Sequence, residues 1–201
     1  MSVYSKPILN LINELSKLPG VGRKTASRLA YYIANMDQED VNALSESIKV
    51  AKRDLKFCNI CYNITDKDPC DICSSKKRDR STILVVSEAK DLIAIEKTKE
   101  YKGLYHVLGG VVSPLEGKMI DDIRIKELIN RVGTNDEIKE IILATGFDVE
   151  GQTTAMVINK LLSPFSDIKV SRIAQGLPQG AELEYTDGAT LANAINARNI
   201  L

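Results

Sequence analysis

The stretch CNICYNITDKDPCDIC, residues 58–73, holds all four cysteines of this 201-residue chain. Their spacing, C-x2-C-x8-C-x2-C, puts two thiols on each of two tight turns. Two such turns complete a tetrahedron of thiolates around one zinc ion and leave no position for a substrate water. Cys58, Cys61, Cys70 and Cys73 therefore predict a structural zinc site. The alternatives are free thiols or two disulfides, and disulfides require an oxidising compartment.

Length and composition indicate a protein with a real hydrophobic core, built as one main domain with smaller appendages. The N-terminus lacks a signal-peptide pattern and apolar runs such as Ile83–Val86 are too short to span a bilayer, so we expect a soluble, cytoplasmic protein with no membrane association. Formal net charge is zero, but residues 1–80 hold 14 Lys+Arg against 10 Asp+Glu, and residues 81–201 hold 13 against 17. This asymmetry is consistent with an anionic partner for the first part.

Upstream of the cysteines, helical periodicity predicts a helix, a tight turn and a second helix. Apolar residues recur at helical spacing from Ile8 to Leu18, Pro19-Gly20 ends that helix, and a new periodic segment starts after Gly22. A third helix is predicted over 40–56, leading directly to Cys58. Its apolar residues fall on one face: Val41, Leu44, Ile48, Ala51 and Leu55.

The turn between the first two helices has the features of a phosphate-binding site. Gly20 and Gly22 permit a tight turn whose backbone N–H groups face outward at the start of a helix, where the dipole favours an anion. Lys24 and Arg28 lie four residues apart on one helical face, with Arg23 at its start, so they are candidates for neutralising phosphates without reading bases. The alternatives are a solvated basic face and a dimerisation element.

Downstream of the cysteines, β-branched runs alternate with amphipathic segments. Strands are predicted over 82–86, 105–108, 138–145 and 169–174, with helices near 90–99, 121–132, 151–162 and 188–197. This alternation predicts a mostly parallel sheet with helices on both faces. Ligands of such sheets lie beyond the carboxyl ends of the strands.

Acidic residues follow two of these strands. Glu88 comes after the strand at 82–86, and Asp148 and Glu150 come after the strand at 138–145. Together they form a candidate Mg²⁺ site. Carboxylates placed between a strand and a helix are also ordinary helix caps, which is the competing interpretation.

The single histidine, His106, lies within an apolar strand. We interpret it as a packed structural residue in preference to a catalytic base. Neither a G-x-S-x-G nucleophile motif nor a P-loop is present, so no catalytic residue is assigned.

The order of these modules resembles that of the bacterial RecR family of recombination mediators. The resemblance covers nearly the whole chain and rests on residues 18–30, 58–73, 101–103, 113–114, 142–145, 176–178 and 183–185. It implies an α/β protein with an N-terminal helix-hairpin-helix (residues 1–56), a four-cysteine zinc finger (57–80) and a C-terminal Toprim-like, mostly parallel sheet flanked by helices (81–201). The four cysteines match the family's zinc ligands, and Lys24 and Arg28 match basic residues that contact DNA.

The same resemblance implies a function without catalysis. Members form a homo-oligomeric, tetrameric ring that encircles DNA, and they act with RecO and RecF to load a recombinase at gaps in damaged DNA. We therefore expect a DNA-binding scaffold of recombinational repair that recognises gaps or junctions between single-stranded and double-stranded DNA. A Mg²⁺-dependent Toprim nuclease or primase and a protein-interaction adaptor without DNA binding are the alternatives.

The chain departs from the family pattern mainly in the Toprim-like part. Where the family usually has A-T-N-P-x-x-E-G-E, this chain reads ATGFDVEGQ over residues 144–152, so a carboxylate has become Gln152. Ser87 stands where many members have the first acid. These changes weaken the case for a magnesium site and indicate a divergent member.

Overall fold

The computed structural model describes residues 4–198, which form two compact units, one ending at Leu55 and the other starting at Lys56. The helices are α1 Lys6–Leu15, α2 Arg23–Ala34, α3 Gln38–Asp54, α4 Asp71–Ser74, α5 Ala89–Thr98, α6 Ile125–Gly133, α7 Val149–Leu162 and α8 Gly188–Asn196. The strands are β1 Lys56–Phe57, β2 Ile64–Thr65, β3 Thr82–Val86, β4 Leu104–Val107, β5 Glu140–Ala144 and β6 Lys169–Arg172. Single 3₁₀ turns cover Pro114–Glu116, Ile120–Asp122 and Leu183–Tyr185.

The first unit is a helical hairpin followed by a long helix. Ile12 of α1 packs against Ala26 and Ala30 of α2, and all three are buried. The two alanines carry short side chains, which allow the helices to approach closely. Helix α3 has an apolar stripe, as predicted, but none of its residues is buried.

The second unit contains the predicted parallel sheet, with strand order β4-β3-β5-β6. All three neighbouring pairs are parallel, and Val85 of β3 lies between His106 of β4 and Leu143 of β5. The chain runs from β3 out to β4, then crosses back to β5 on the other side of β3. This order makes β4 and β6 the edge strands.

Both faces of the sheet are covered, and the inner strand β3 is accordingly apolar from Ile83 to Val86. Ile83 and Val85 face one hydrophobic core, which α6 and α7 complete. Leu84 and Val86 face a second core that contains Leu92 of α5. Tyr62 and Ile72 belong to the four-cysteine segment of residues 57–80, which is called the zinc module below. Both also pack against this second core. The sheet thus supports the cysteine-rich segment directly.

Two helices differ from the prediction for reasons that the backbone shows. The third helix ends at Asp54, because the chain becomes extended at Leu55 and pairs as β1 with β2. The helix predicted from residue 121 starts at Ile125, because residues 120–122 form a separate 3₁₀ turn and Ile123 has extended backbone angles (φ −129°, ψ 160°). Residues 121–124 therefore precede helix α6 and are not part of it.

Within residues 4–198, no helix combines the length and the apolar character needed to cross a membrane.

Candidate zinc centre and nucleic-acid interface

The four cysteine thiols meet at one buried point. All four side chains are buried, and their sulfur atoms lie within 4.8 Å of one another. The Sγ atoms of Cys61 and Cys70, one from each turn, are 3.6 Å apart. Zn–S bonds of about 2.3 Å in a tetrahedron place sulfur atoms about 3.8 Å apart. The spacing therefore fits one zinc ion, and no disulfide joins any of the four.

Backbone hydrogen bonds form the two turns that carry these thiols. The N–H of Tyr62 donates to the Cys58 carbonyl (2.9 Å), which closes the first turn, where Tyr62 adopts a left-handed conformation. The N–H of Cys70 donates to Sγ of Cys58 (3.4 Å). Asp68 accepts a hydrogen bond from the N–H of Asn59 (2.9 Å), so the two turns are also joined outside the sulfur cluster.

The chemistry of the donor set fits zinc as well. The contact with Cys70 and burial both raise the pKa of the Cys61 thiol. Four thiolates so close together repel one another, and a divalent cation relieves that repulsion when it binds. The site is a structural zinc centre, and its four protein ligands leave no coordination position for chemistry.

The turn between α1 and α2 has the conformation that the two glycines predict. Gly20 adopts a positive φ of 77°, and the N–H of Val21 donates to the Leu18 carbonyl (3.0 Å). Gly22 is the N-cap of α2, which has no side-chain cap and no acidic residue in its first turn. The start of α2 is therefore open to an anion.

Three cations surround this helix start. Arg23, Lys24 and Arg28 are exposed. None of them forms an ion pair with any other residue that the structure describes. Their charges are therefore available to a partner from solution.

Asp148 caps helix α7. Its carboxylate accepts a hydrogen bond from the N–H of Gly151 (2.7 Å), as the capping interpretation predicts. The helix passes so close to the preceding loop that a Cβ at Gly151 would lie 2.3 Å from the Gly146 carbonyl oxygen. Glycine at this position is therefore a packing requirement. The side-chain amide of Gln152 donates to the Phe147 carbonyl (2.8 Å), so it also stabilises the loop that precedes α7.

Glu88 caps helix α5. It forms a capping box with Asp91, whose carboxylate accepts from the Glu88 N–H (2.9 Å), and it pairs with Lys90 (2.7 Å). Within the described part of the chain, only the four cysteines form a group of three or more metal-binding side chains close together. The magnesium site of Glu88, Asp148 and Glu150 stays a prediction that these contacts do not support.

His106 is packed in the interior, as predicted. It is fully buried, and its Nε2 lies 2.8 Å from the Arg124 carbonyl oxygen, to which it donates in the neutral form. Tyr62 of the zinc module meets the ring edge-on, with 5.4 Å between the ring centroids. Burial lowers the pKa of His106 to about 4, so the ring is neutral at physiological pH.

The sequence did not reveal the arginines that join the zinc module to the sheet. The Arg124 guanidinium lies 4.3 Å from the ring centroid of Phe57 and 5.1 Å from that of Tyr62. Arg78 pairs with Glu96, which also accepts a hydrogen bond from the Tyr105 hydroxyl (2.7 Å). Their partners are distant in sequence, so no local pattern identifies them.

Comparison with known families matches consecutive parts of the chain. Models that describe the RecR helix-hairpin-helix, the RecR four-cysteine zinc finger domain, the Toprim domain and the RecR C-terminal part match residues 8–52, 55–75, 81–174 and 176–199 in that order. The four cysteines all lie within the zinc-finger match.

Curated relatives match over nearly the full length. A "Recombination protein RecR" of Lactiplantibacillus plantarum is 52% identical over 97% of this chain and 98% of its own length. Proteins of the same name from Enterococcus faecalis and Lactococcus lactis are 51% and 49% identical over the same shares. Identity at this level, together with the order of the domains and the zinc centre, shows that the chain belongs to the RecR family.

Proposed function

We propose that this protein is a non-catalytic DNA-binding scaffold of recombinational repair. The observation that carries the proposal is the open start of α2, where Lys24 and Arg28 are exposed and have no acidic partner among the described residues. The relatives' name, which places them in recombination, agrees with a DNA partner.

The contact is to the sugar-phosphate backbone. The free N–H groups at the start of α2 and the positive end of its dipole bind a phosphate, and Gly20 and Gly22 let the backbone approach it. Arg23, Lys24 and Arg28 neutralise that phosphate and its neighbours. Such contacts position a protein on DNA without reading its sequence, so binding depends strongly on salt and weakly on base composition.

The remaining parts of the proposal follow from the family. The hairpin of residues 1–56 contacts DNA, the module of residues 57–80 holds zinc, and residues 81–201 form the Toprim-like part. Four copies assemble into a ring that encircles DNA in the cytoplasm, and RecO and RecF are the partners with which it helps to load a recombinase at gaps.

The absence of a catalytic role is supported by how the acidic residues are used. Asp148 and Glu88 hold helix N-termini, and His106 is buried and neutral. The zinc centre has four protein ligands and no coordination position for a reacting water. Asp148 and His106 therefore have contacts that serve the fold.

The test is fluorescence anisotropy of a labelled gapped duplex titrated with wild-type protein and with the double variant Lys24→Ala, Arg28→Ala. The matched control is Lys49→Ala with Lys52→Ala, which removes the same charge from exposed positions on α3 of the same unit. We expect at least tenfold weaker binding for the first variant and a much smaller change for the control.

Equal losses in both variants would mean that net charge, and not the hairpin, determines binding. An absence of binding by wild-type protein at low salt would favour the adaptor function. Cleavage or primer synthesis that requires Mg²⁺ and disappears in Asp148→Asn would favour the enzyme function.

A further inference from the structure

The outer edge of strand β4 is covered by the zinc module and by one arginine. Residues 105 and 107 direct their backbone groups away from β3, because the N–H of Leu108 donates to Val86 on the inner side. The N–H of Val107 donates to the Cys61 carbonyl (2.8 Å), and the Tyr105 carbonyl accepts from Nη1 of Arg131 (2.7 Å).

These two contacts place Arg131 beside the Cys58–Cys61 turn. Residues two apart on a strand are separated by about 6.7 Å along one edge. The guanidinium of Arg131, which comes from helix α6, and the carbonyl of the zinc ligand Cys61 therefore occupy neighbouring positions on the same edge.

Arg131 has no carboxylate counter-ion among residues 4–198. The side chain is partly buried, and no ion pair connects it to any acidic residue between positions 4 and 198. A cation removed from water without a counter-charge is costly. Zinc with four thiolates carries two net negative charges, also out of water. Burial lowers the pKa of Arg131, while Cys73, Cys61 and Cys58 act on it in the opposite direction.

We propose that Arg131 is a positioning residue of the zinc centre, which balances the charge of the zinc-thiolate cluster from the same edge of β4 that binds the Cys58–Cys61 turn. Zinc affinity then depends on the Toprim-like part of the chain and not only on residues 58–73. The proposal does not rest on DNA binding.

Two substitutions test the charge of Arg131. Arg131→Lys keeps the positive charge, whereas Arg131→Gln replaces it with a neutral amide on a shorter side chain. The control Lys126→Gln removes one positive charge from an exposed position on the same helix, where Lys126 pairs with Asp121 (2.6 Å).

The dissociation constant for zinc is measured by competition with a chromophoric chelator on the full chain. Substitution of groups that support metal ligands weakens metal binding by about 10- to 100-fold, and we expect a loss in this range for Arg131→Gln. We expect Arg131→Lys and Lys126→Gln to stay within about threefold of wild type, on the same scale. Thermal unfolding of the zinc-saturated variants checks that each is folded.

Wild-type zinc affinity in a folded Arg131→Gln variant would overturn the proposal. If Arg131→Gln does not fold, Arg131→Lys decides: near wild-type affinity supports charge balance, and a loss above tenfold contradicts it.

Discussion

The cations at the start of α2 and the arginines of the zinc and sheet unit have opposite surroundings. In the hairpin unit, Arg23, Lys24 and Arg28 are exposed beside a helix start that has no acidic cap. Nothing among the described residues forms an ion pair with them. Their removal therefore breaks no ion pair of the described residues.

In the zinc and sheet unit, arginines are bound to internal partners. Arg78 pairs with Glu96, Arg124 lies over the Phe57 ring, and Arg131 donates to a strand edge. Two helix starts in this unit are capped by the carboxylates of Asp148 and Asp187. Charges with internal partners thus stabilise the structure, while charges without them are available for binding.

The largest expected effect is on the zinc centre. Cys70→Ser, or removal of zinc by a chelator, leaves buried thiols without the ion that joins the two turns. Since structural zinc contributes its binding free energy to folding, we expect a loss on the order of 5 kcal/mol. That corresponds to a fall in melting temperature of about 10–20 °C for a chain of this size. Calorimetry checks this, with Lys24→Ala, Arg28→Ala as the variant expected to melt like wild type. Unchanged melting after complete zinc removal would contradict the structural role.

The second largest effect is a loss of stability at low pH that is caused by His106. The pKa of this residue is about 4 in the folded protein because of burial. The unfolded value is about 6.5, so between these values the unfolded state binds more protons and stability falls as pH falls. The free energy of unfolding falls by about 3 kcal/mol in total, and this loss is reached near pH 4. Because the chain has one histidine, an NMR titration follows its ring directly. A measured pKa near 6.5 in the zinc-saturated protein would refute the buried, neutral ring.

A smaller effect is expected at the pair of Arg78 and Glu96. Their side chains are 18% and 26% exposed, and Glu96 also accepts from Tyr105. The bond to Arg78 lowers the pKa of Glu96, so the pair stabilises the fold above the unfolded pKa of the carboxyl and weakens as pH falls through the folded value. We expect Arg78→Ala to cost about 2 kcal/mol in urea unfolding, less than a fully buried pair because of solvent screening.

The exposed pair Lys67 and Asp71 is the control. Lys67→Ala should cost about 0.5 kcal/mol or less. Equal losses at both pairs would mean that burial does not distinguish them.

The smallest change in stability comes from giving α2 the kind of cap that α7 has. Gly22 has φ −71° and ψ 163°, and nothing lies within 4 Å of an added Cβ, so Gly22→Asp fits without strain. We expect stability to change by about 0.5 kcal/mol or less, in the favourable direction. DNA affinity should fall by about tenfold, because the carboxylate occupies the phosphate position and repels the backbone. Gly22→Asn is the neutral control. Unaltered DNA binding by Gly22→Asp would place the contact elsewhere.

Local patterns predicted most of the architecture. The cysteine spacing identified the zinc ligands, and the apolar run of residues 82–86 gave a strand with those bounds. The break in the helical conformation at Ile123 was not predictable, because the apolar periodicity continues through it. The interruption comes from the hydrogen bond that the Arg124 N–H donates to the Leu108 carbonyl of the neighbouring loop. The contacts of Arg78, Arg124 and Arg131 also escaped prediction, since they join residues that meet only when the sheet and the zinc module are packed.

The proposed contact of Lys24 and Arg28 with DNA phosphates is tested by the salt dependence of binding. Anisotropy titrations of a duplex at several salt concentrations give the slope of log K against log salt. Each neutralised phosphate contributes about 0.9 to that slope, so Lys24→Ala with Arg28→Ala should reduce it by about 1.8. A double variant that binds more weakly but keeps the wild-type slope would contradict the claim, because its phosphate contacts would be intact.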